Sequence, residues 1–221
     1  MNYKSIILVG NGSSLLDEKN GDFIDSFDTV VRFNNFVIKG YEKHVGTKTN
    51  IVVLNKRFSS QPQVVCNNIL NLHEVECFYM VSPNQKKRGY KFQTYGQEQF
   101  GINIPIKKIN RKKKVLNQYR NTHKYCPTIG MFAICYLLST SNHILNLIGF
   151  DAIQNSSEVL KRYISVQMDG ILTEEFIFTK NHSYTIDKDT KEVKKMGYIH
   201  HPPSERKYLQ PHIDSGRIVL N

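Results

Sequence analysis

At 221 residues the chain is long enough to bury a real core and fits one domain, or one domain with a substantial insertion. Its 40% hydrophobic content, its lack of low-complexity tracts and its strand-sized apolar runs exclude a disordered or bilayer-spanning chain. The net charge of +11 is localised: twelve Lys or Arg stand against one acid, Glu98, between Lys86 and Lys124, which leaves the rest neutral overall.

Taken in order, apolar β-rich runs predict strands at about 5–10, 28–33, 50–54, 75–80, 144–149 and 217–220, with helices at 13–19, 62–72, 128–139 and 204–215. Several strands are continuously apolar, which predicts burial on both faces, as in a parallel sheet flanked by helices. The expectation is a single α/β, Rossmann-like domain over 1–221, with a mostly parallel central sheet. Residues 84–125 read as an irregular basic insertion, and 151–199 as a second irregular stretch suited to a lid or acceptor loop.

The first strand ends in Val9-Gly10-Asn11-Gly12-Ser13-Ser14. A glycine turn before a helix start lets backbone approach a phosphate or sugar, although a tight turn without ligand gives the same pattern. The dinucleotide fingerprint fails, because Leu15 stands where its last glycine belongs and Arg32-Phe33-Asn34-Asn35 stands where an acid should end the second strand. No G-K-[ST] follows, so a P-loop is excluded. Asn34 and Asn35 suit a pyrimidine or ribose edge, or a plain turn. Pro127-Thr128-Ile129-Gly130 opens an apolar helix with Thr128 as N-cap, either as an anion-receptive helix start or as an ordinary core helix.

The basic segment suits phosphate-rich or acidic partners, or a solvated loop. A specific nucleic-acid site is disfavoured, since no regular aromatic interleaving and no helix-turn-helix, zinc-finger or RNA-recognition signature accompanies it. Cys66, Cys77, Cys126 and Cys135 show no C-x-x-C spacing, which argues against structural zinc and fits reduced thiols in cytosol. The N-terminal apolar run is too short for a signal peptide, so the chain reads as cytosolic or as a truncated catalytic domain. His182 and His200-His201 lie in the C-terminal third. Each can move a proton near neutral pH, or serve as a surface or structural histidine.

These pieces resemble the eukaryotic-type sialyltransferases of glycosyltransferase family 29 and their bacterial and viral relatives. The family's large motif is matched by Gly10-Asn11, Arg32-Phe33-Asn34 and Gly40-Tyr41-Glu42-Lys43-His44-Val45-Gly46-Thr47-Lys48-Thr49. Its small motif is matched by Pro127-Thr128-Ile129-Gly130-Met131 and then Gly149-Phe150, and its terminal H-x4-E by His200 and Glu205. His182-Ser183-Tyr184 is a loose candidate for its short third motif. The disulfide of vertebrate members would fall near Ile6 and Asn142, so it is absent here.

The resemblance implies a GT-A-variant fold and an inverting, metal-independent transfer of sialic acid from CMP-sialic acid to a glycan or glycolipid hydroxyl. It implies donor contacts from Gly10, Asn11, Gly12, Ser13, Asn34, Thr128, Ile129, Gly130, Gly149 and Phe150. It makes His200 the general base, with His182 assisting the leaving phosphate and Glu205 in a supporting catalytic or helix-orienting role. No metal or other cofactor is expected, and Asp187-Lys188-Asp189 reads as a turn. The absence of an anchor and stem in this chain agrees with a cytoplasmic enzyme, peripheral to an anionic membrane or acidic glycan through residues 86–124. The alternatives are transfer of another CMP-ulosonate such as Kdo, or a non-catalytic Rossmann-like nucleotide- or nucleic-acid-binding module.

Overall fold

The computed structural model describes residues 5–55, 58–81, 85–108, 119, 127–154, 159–166, 172–179, 183–187, 193–196 and 202–221. Seven parallel strands form the central sheet: β1 (Ile6–Val9), β2 (Thr29–Phe33), β3 (Ile51–Leu54), β4 (Cys77–Met80), β5 (Ile106–Lys108), β6 (Leu145–Ile148) and, after the meander below, β11 (Ile218–Leu220). Their spatial order is β11-β6-β1-β2-β3-β4-β5. The chain therefore builds outward from β1 in one direction, then returns to add β6 on its other side. That reversal is a topological switch point, where the carboxyl ends of neighbouring strands leave a crevice.

Alternate residues of each strand divide the core in two. Ile6, Leu8, Val31, Phe33, Val53 and Leu147 belong to one buried cluster, whereas Ile7, Val9, Val30, Val52, Leu54 and Ile148 belong to the other. The first face is covered by α5 (Ile129–Thr140) and by Leu209 of α7 (Pro202–Asp214). The second is covered by Phe58, by Val65 of α3 (Pro62–Cys66) and by Phe92 of α4 (Gln85–Phe100). Burial on both faces explains why these strands read as continuous apolar runs.

The expected sheet, the N-cap at Thr128 and the last helix are present. Other expectations are corrected. The helix expected at 13–19 is a 3₁₀ turn (Ser13–Leu16), followed by α1 (Gly21–Asp25). The helix at 62–72 stops at Cys66, and a 3₁₀ turn covers Leu72–Glu74. The stretch expected to be irregular at 84–125 begins with the sixteen-residue α4 and contributes β5. α4 contains Gly89 and Gly96, where a Cβ would lie 3.1 Å from Ile106 and 2.6 Å from Ile104. These glycines let the helix lie close on the segment that forms β5. The second irregular stretch is a short helix, α6 (Asp151–Gln154), then an antiparallel meander of β7 (Val159–Val166), β8 (Leu172–Thr179), β9 (Ser183–Asp187) and β10 (Val193–Met196).

Arg32 is the largest fully buried side chain of the sheet, at 1% exposure. Its Nε donates to the Lys48 carbonyl and the Thr49 hydroxyl, both at 3.0 Å, and its Nη2 donates to the Val45 carbonyl at 2.8 Å. Burial lowers its pKa to about 10, opposed by the nearby Asp25 carboxylate. Asp25 in turn accepts from Thr47 N (2.8 and 2.9 Å), Thr47 Oγ1 (2.7 Å) and Lys48 N (2.9 Å). Gly46 has φ +70°, and a Cβ there would meet Asp25 Oδ1 at 2.5 Å. The segment from Val45 to Thr49, which follows the short helix α2 (Glu42–Val45), thus spends its polar groups on β2 and α1. Replacing Arg32 by Ala orphans three acceptors and leaves a void, so a loss of roughly 3–4 kcal/mol of stability is expected in urea denaturation. A loss below about 1 kcal/mol would show that Arg32 does not brace this loop.

Candidate active site

The crevice is built from the turns after β1 and β6. Gly10 N donates to the Ile148 carbonyl at 2.8 Å, and Gly12 N to the Gly149 carbonyl at 2.9 Å. A Cβ on Gly10 would lie 2.2 Å from the Gly149 oxygen, and one on Gly12 would lie 2.2 Å from Asp151 Oδ1. Gly149 itself has φ +69°, with the Leu15 side chain against its Cα. Buried Asp151 locks the two turns, accepting from Ser14 N at 3.2 Å and from Ser14 Oγ.

Phe150 carries this junction into the neighbouring elements. Its ring packs edge-on against Phe33 of β2, with centroids 5.7 Å apart. Its Cε1 lies 2.6 Å from where a Cβ on Gly130 would be. This ring fills the space beside Gly130. Gly10, Gly12, Gly130 and Gly149 therefore act first as points of close approach between chain segments.

Further polar groups lie around this junction. Asn11 Nδ2 donates to the Phe33 carbonyl at 3.1 Å, which leaves its Oδ1 uncommitted among the described residues. Asn34, in the left-handed region at φ 55°, accepts from Asn55 N at 3.0 Å through Oδ1 and keeps its Nδ2 uncommitted among the same residues. Thr128 Oγ1 caps α5 by accepting from Met131 N at 3.1 Å, and Phe132 N bonds the Thr128 carbonyl at 2.9 Å. Of the first amides of α5, those of Ile129 and Gly130 are left without a described partner. Asn55, at the end of β3, is a site-edge residue that the sequence reading missed. The signal available was its place directly after the third apolar run, as Asn34 and Asn35 stand directly after the second. Ser13 opens the turn after β1. His182 and His200 lie outside the described residues.

Glu205 is 1% exposed and faces Thr128. Its Oε1 accepts from Thr128 N at 2.5 Å and its Oε2 from Thr128 Oγ1 at 2.8 Å. The Thr128 amide expected to serve the donor is thus engaged by Glu205. Burial pushes the Glu205 carboxyl up to about 7, against the pull of the two Thr128 donors. Its neighbour Arg206 donates through Nη1 to the Ile153 carbonyl. Cys66, Cys77 and Cys135 are buried thiols whose pKa desolvation raises to about 12, 11 and 12. Among the described residues no group of three His, Cys, Asp or Glu is placed to hold a metal, and no helix is long and apolar enough to cross a membrane.

A seven-stranded parallel sheet with a crevice at its switch point defines an α/β, Rossmann-like fold. The chain belongs to glycosyltransferase family 29 (sialyltransferase), whose model matches residues 1–210. It is similar to a beta-1,6-galactosyltransferase of Arabidopsis thaliana, at 42% identity over 59 residues, 27% of this chain and 15% of that protein. It is also similar to the human beta-galactoside alpha-2,6-sialyltransferase 2, at 39% identity over 59 residues, 27% of this chain and 11% of that one. These matches span well under two thirds of either relative. A solved mammalian sialyltransferase shares the fold over 98% of this chain and 68% of its own, with TM-score 0.54 and 17% identity. Another, in complex with Gal-beta-1-3GalNAc-ortho-nitrophenol, superposes with TM-score 0.53 and 16% identity over the same shares.

Two predictions follow from this geometry. Gly10→Ala drives a methyl into the Gly149 carbonyl and is expected to cost about 2–3 kcal/mol, read as a lowered thermal midpoint. An unchanged midpoint would mean that the two turns are not in contact. For Glu205, the folded pKa of about 7 lies above the unfolded value of 4.5, so the folded state binds the extra proton. Stability is then fullest below about pH 4.5 and is lost as pH rises to about 7, by roughly 3 kcal/mol from this group. Comparing urea midpoints at pH 5 and 7.5, Glu205→Gln is expected to remove that part of the slope.

Proposed function

We propose that this protein is an inverting glycosyltransferase that moves sialic acid from CMP-sialic acid to a hydroxyl of a glycan or glycolipid. The observation that carries the reading is the meeting, at the switch point of a family 29 fold, of uncommitted Asn11, Asn34, Ile129 and Gly130 groups. Asn34 Nδ2 and Asn11 Oδ1 offer one donor and one acceptor, which suits a cytosine or ribose edge. The Ile129 and Gly130 amides, at the positive end of a twelve-residue helix, suit the donor phosphate.

In this reading His200 accepts the proton of the acceptor hydroxyl as its oxygen attacks the anomeric carbon. The bond to the CMP oxygen breaks on the opposite face, which inverts the centre. His182 hydrogen-bonds the departing phosphate, whose charge is also met by the α5 amides. No step requires a metal. Likewise inferred are a cytoplasmic setting and a peripheral contact with anionic membrane or acidic glycan through residues 86–124.

The plant galactosyltransferase among the relatives favours one second reading, a donor other than a CMP-ulosonate on the same scaffold. A screen of CMP-sialic acid, CMP-Kdo and UDP-galactose, reading nucleotide release with a galactoside acceptor, separates them. Release from CMP-sialic acid is expected, falling at least about 100-fold in His200→Ala. Wild-type turnover by that variant would remove His200 as the base. Release from UDP-galactose alone would establish the second reading.

A further inference from the structure

We infer that the first turn of α7 is a positioning staple for the transfer step, in which Glu205 clamps the start of α5 while Arg206 holds the turn after β6. This rests on the transferase reading above and assigns Glu205 a place within it. Both Glu205 oxygens are committed to Thr128, one to its amide and one to its hydroxyl, in a setting with 1% exposure. With one bond to each oxygen in this buried setting, the carboxyl acts through what it holds.

What it holds is the residue that caps α5. Thr128 Oγ1 donates to Glu205 and accepts from Met131 N, so a single hydroxyl links the carboxylate to the helix cap. The amides of Ile129 and Gly130 follow directly. Through the next residue, Arg206, the same turn of α7 bonds the carbonyl of Ile153 in α6, just beyond Gly149-Phe150-Asp151. Two consecutive side chains thereby tie together the two segments that, with the β1 turn, enclose the crevice. In sequence, the chain enters this turn from His200, two residues before Pro202. The staple therefore sets the register between the head of α5 and the segment that follows β6. Misplacement by about an ångström at such a junction costs up to about 100-fold in rate.

A double-mutant cycle tests this, using Glu205→Gln, Thr128→Val and the combined variant. CMP affinity is measured by calorimetry, kcat and KM with CMP-sialic acid, and folded fraction by circular dichroism. Each single change is expected to lower kcat about tenfold or more, with KM moving less than about threefold. The combined variant should be no worse than the poorer single one, because both changes open one clamp. Thr128→Ser, which keeps the hydroxyl, should recover activity relative to Thr128→Val. Additive losses, or a loss confined to Glu205→Gln with Thr128→Val unaffected, would overturn the clamp and return Glu205 to direct chemistry. Should Glu205→Gln fail to fold, Glu205→Asp, too short to reach both Thr128 groups, takes its place in the cycle. If wild type releases nucleotide from no donor, the transferase reading fails. The clamp is then judged by the same cycle run on urea midpoints, where additivity would overturn it.

Discussion

The contact on which this molecule turns is the near-touch of two backbones at the switch point. Gly10 and Gly12 lie so close to Gly149 and Asp151 that no side chain fits between them. That approach lets β1 and β6 end side by side with their turns hydrogen-bonded to each other. It also gives the Phe150 ring its seat over Gly10, against Phe33 on one side and Gly130 on the other. The crevice is then walled by elements locked to one another before any ligand arrives. Preorganisation of this kind is what electrostatic stabilisation of a leaving phosphate needs, since nothing must reorient as the bond breaks.

The rest of the polar apparatus works by bracing. Buried Arg32 satisfies three acceptors in the Val45–Thr49 segment, and Asp25 takes up the amides of Thr47 and Lys48. Much of the long motif that marks the family is thus spent on holding β2, whose end carries Asn34. Among the described residues, the groups left for a ligand sit where the bracing leaves them: one asparagine after β1, one after β2 and two amides at the head of α5. Groups braced in this way present a small, rigid set of contacts. Such a set recognises a compact nucleotide better than an extended polymer.

Legibility in the sequence followed the physics of each element. Strands buried on both faces announce themselves as apolar runs, so six of the seven were visible. β5 was not, because a three-residue edge strand containing Lys107 and Lys108 carries too little apolar signal. α4 was hidden by Gly89 and Gly96, whose role depends on Ile104 and Ile106 and cannot be read locally. The site residues were legible as types and turns, but their roles were not. Glycine permits close approach to a ligand or to another strand equally well, and only the fold shows Gly149, Asp151 and Phe150 in those spaces. Glu205 read as part of a catalytic spacing, whereas its partner, Thr128, lies 77 residues away and is found only in three dimensions.

The central question is whether the switch-point edge binds the nucleotide. Amide hydrogen exchange of the wild-type protein with and without CMP addresses this residue by residue. Protection confined to Gly10–Ser14, Asn34–Asn35 and Ile129–Gly130, absent with UMP, is the expected result. Saturating CMP that leaves these amides unchanged, or that protects a different face of the sheet, would contradict it.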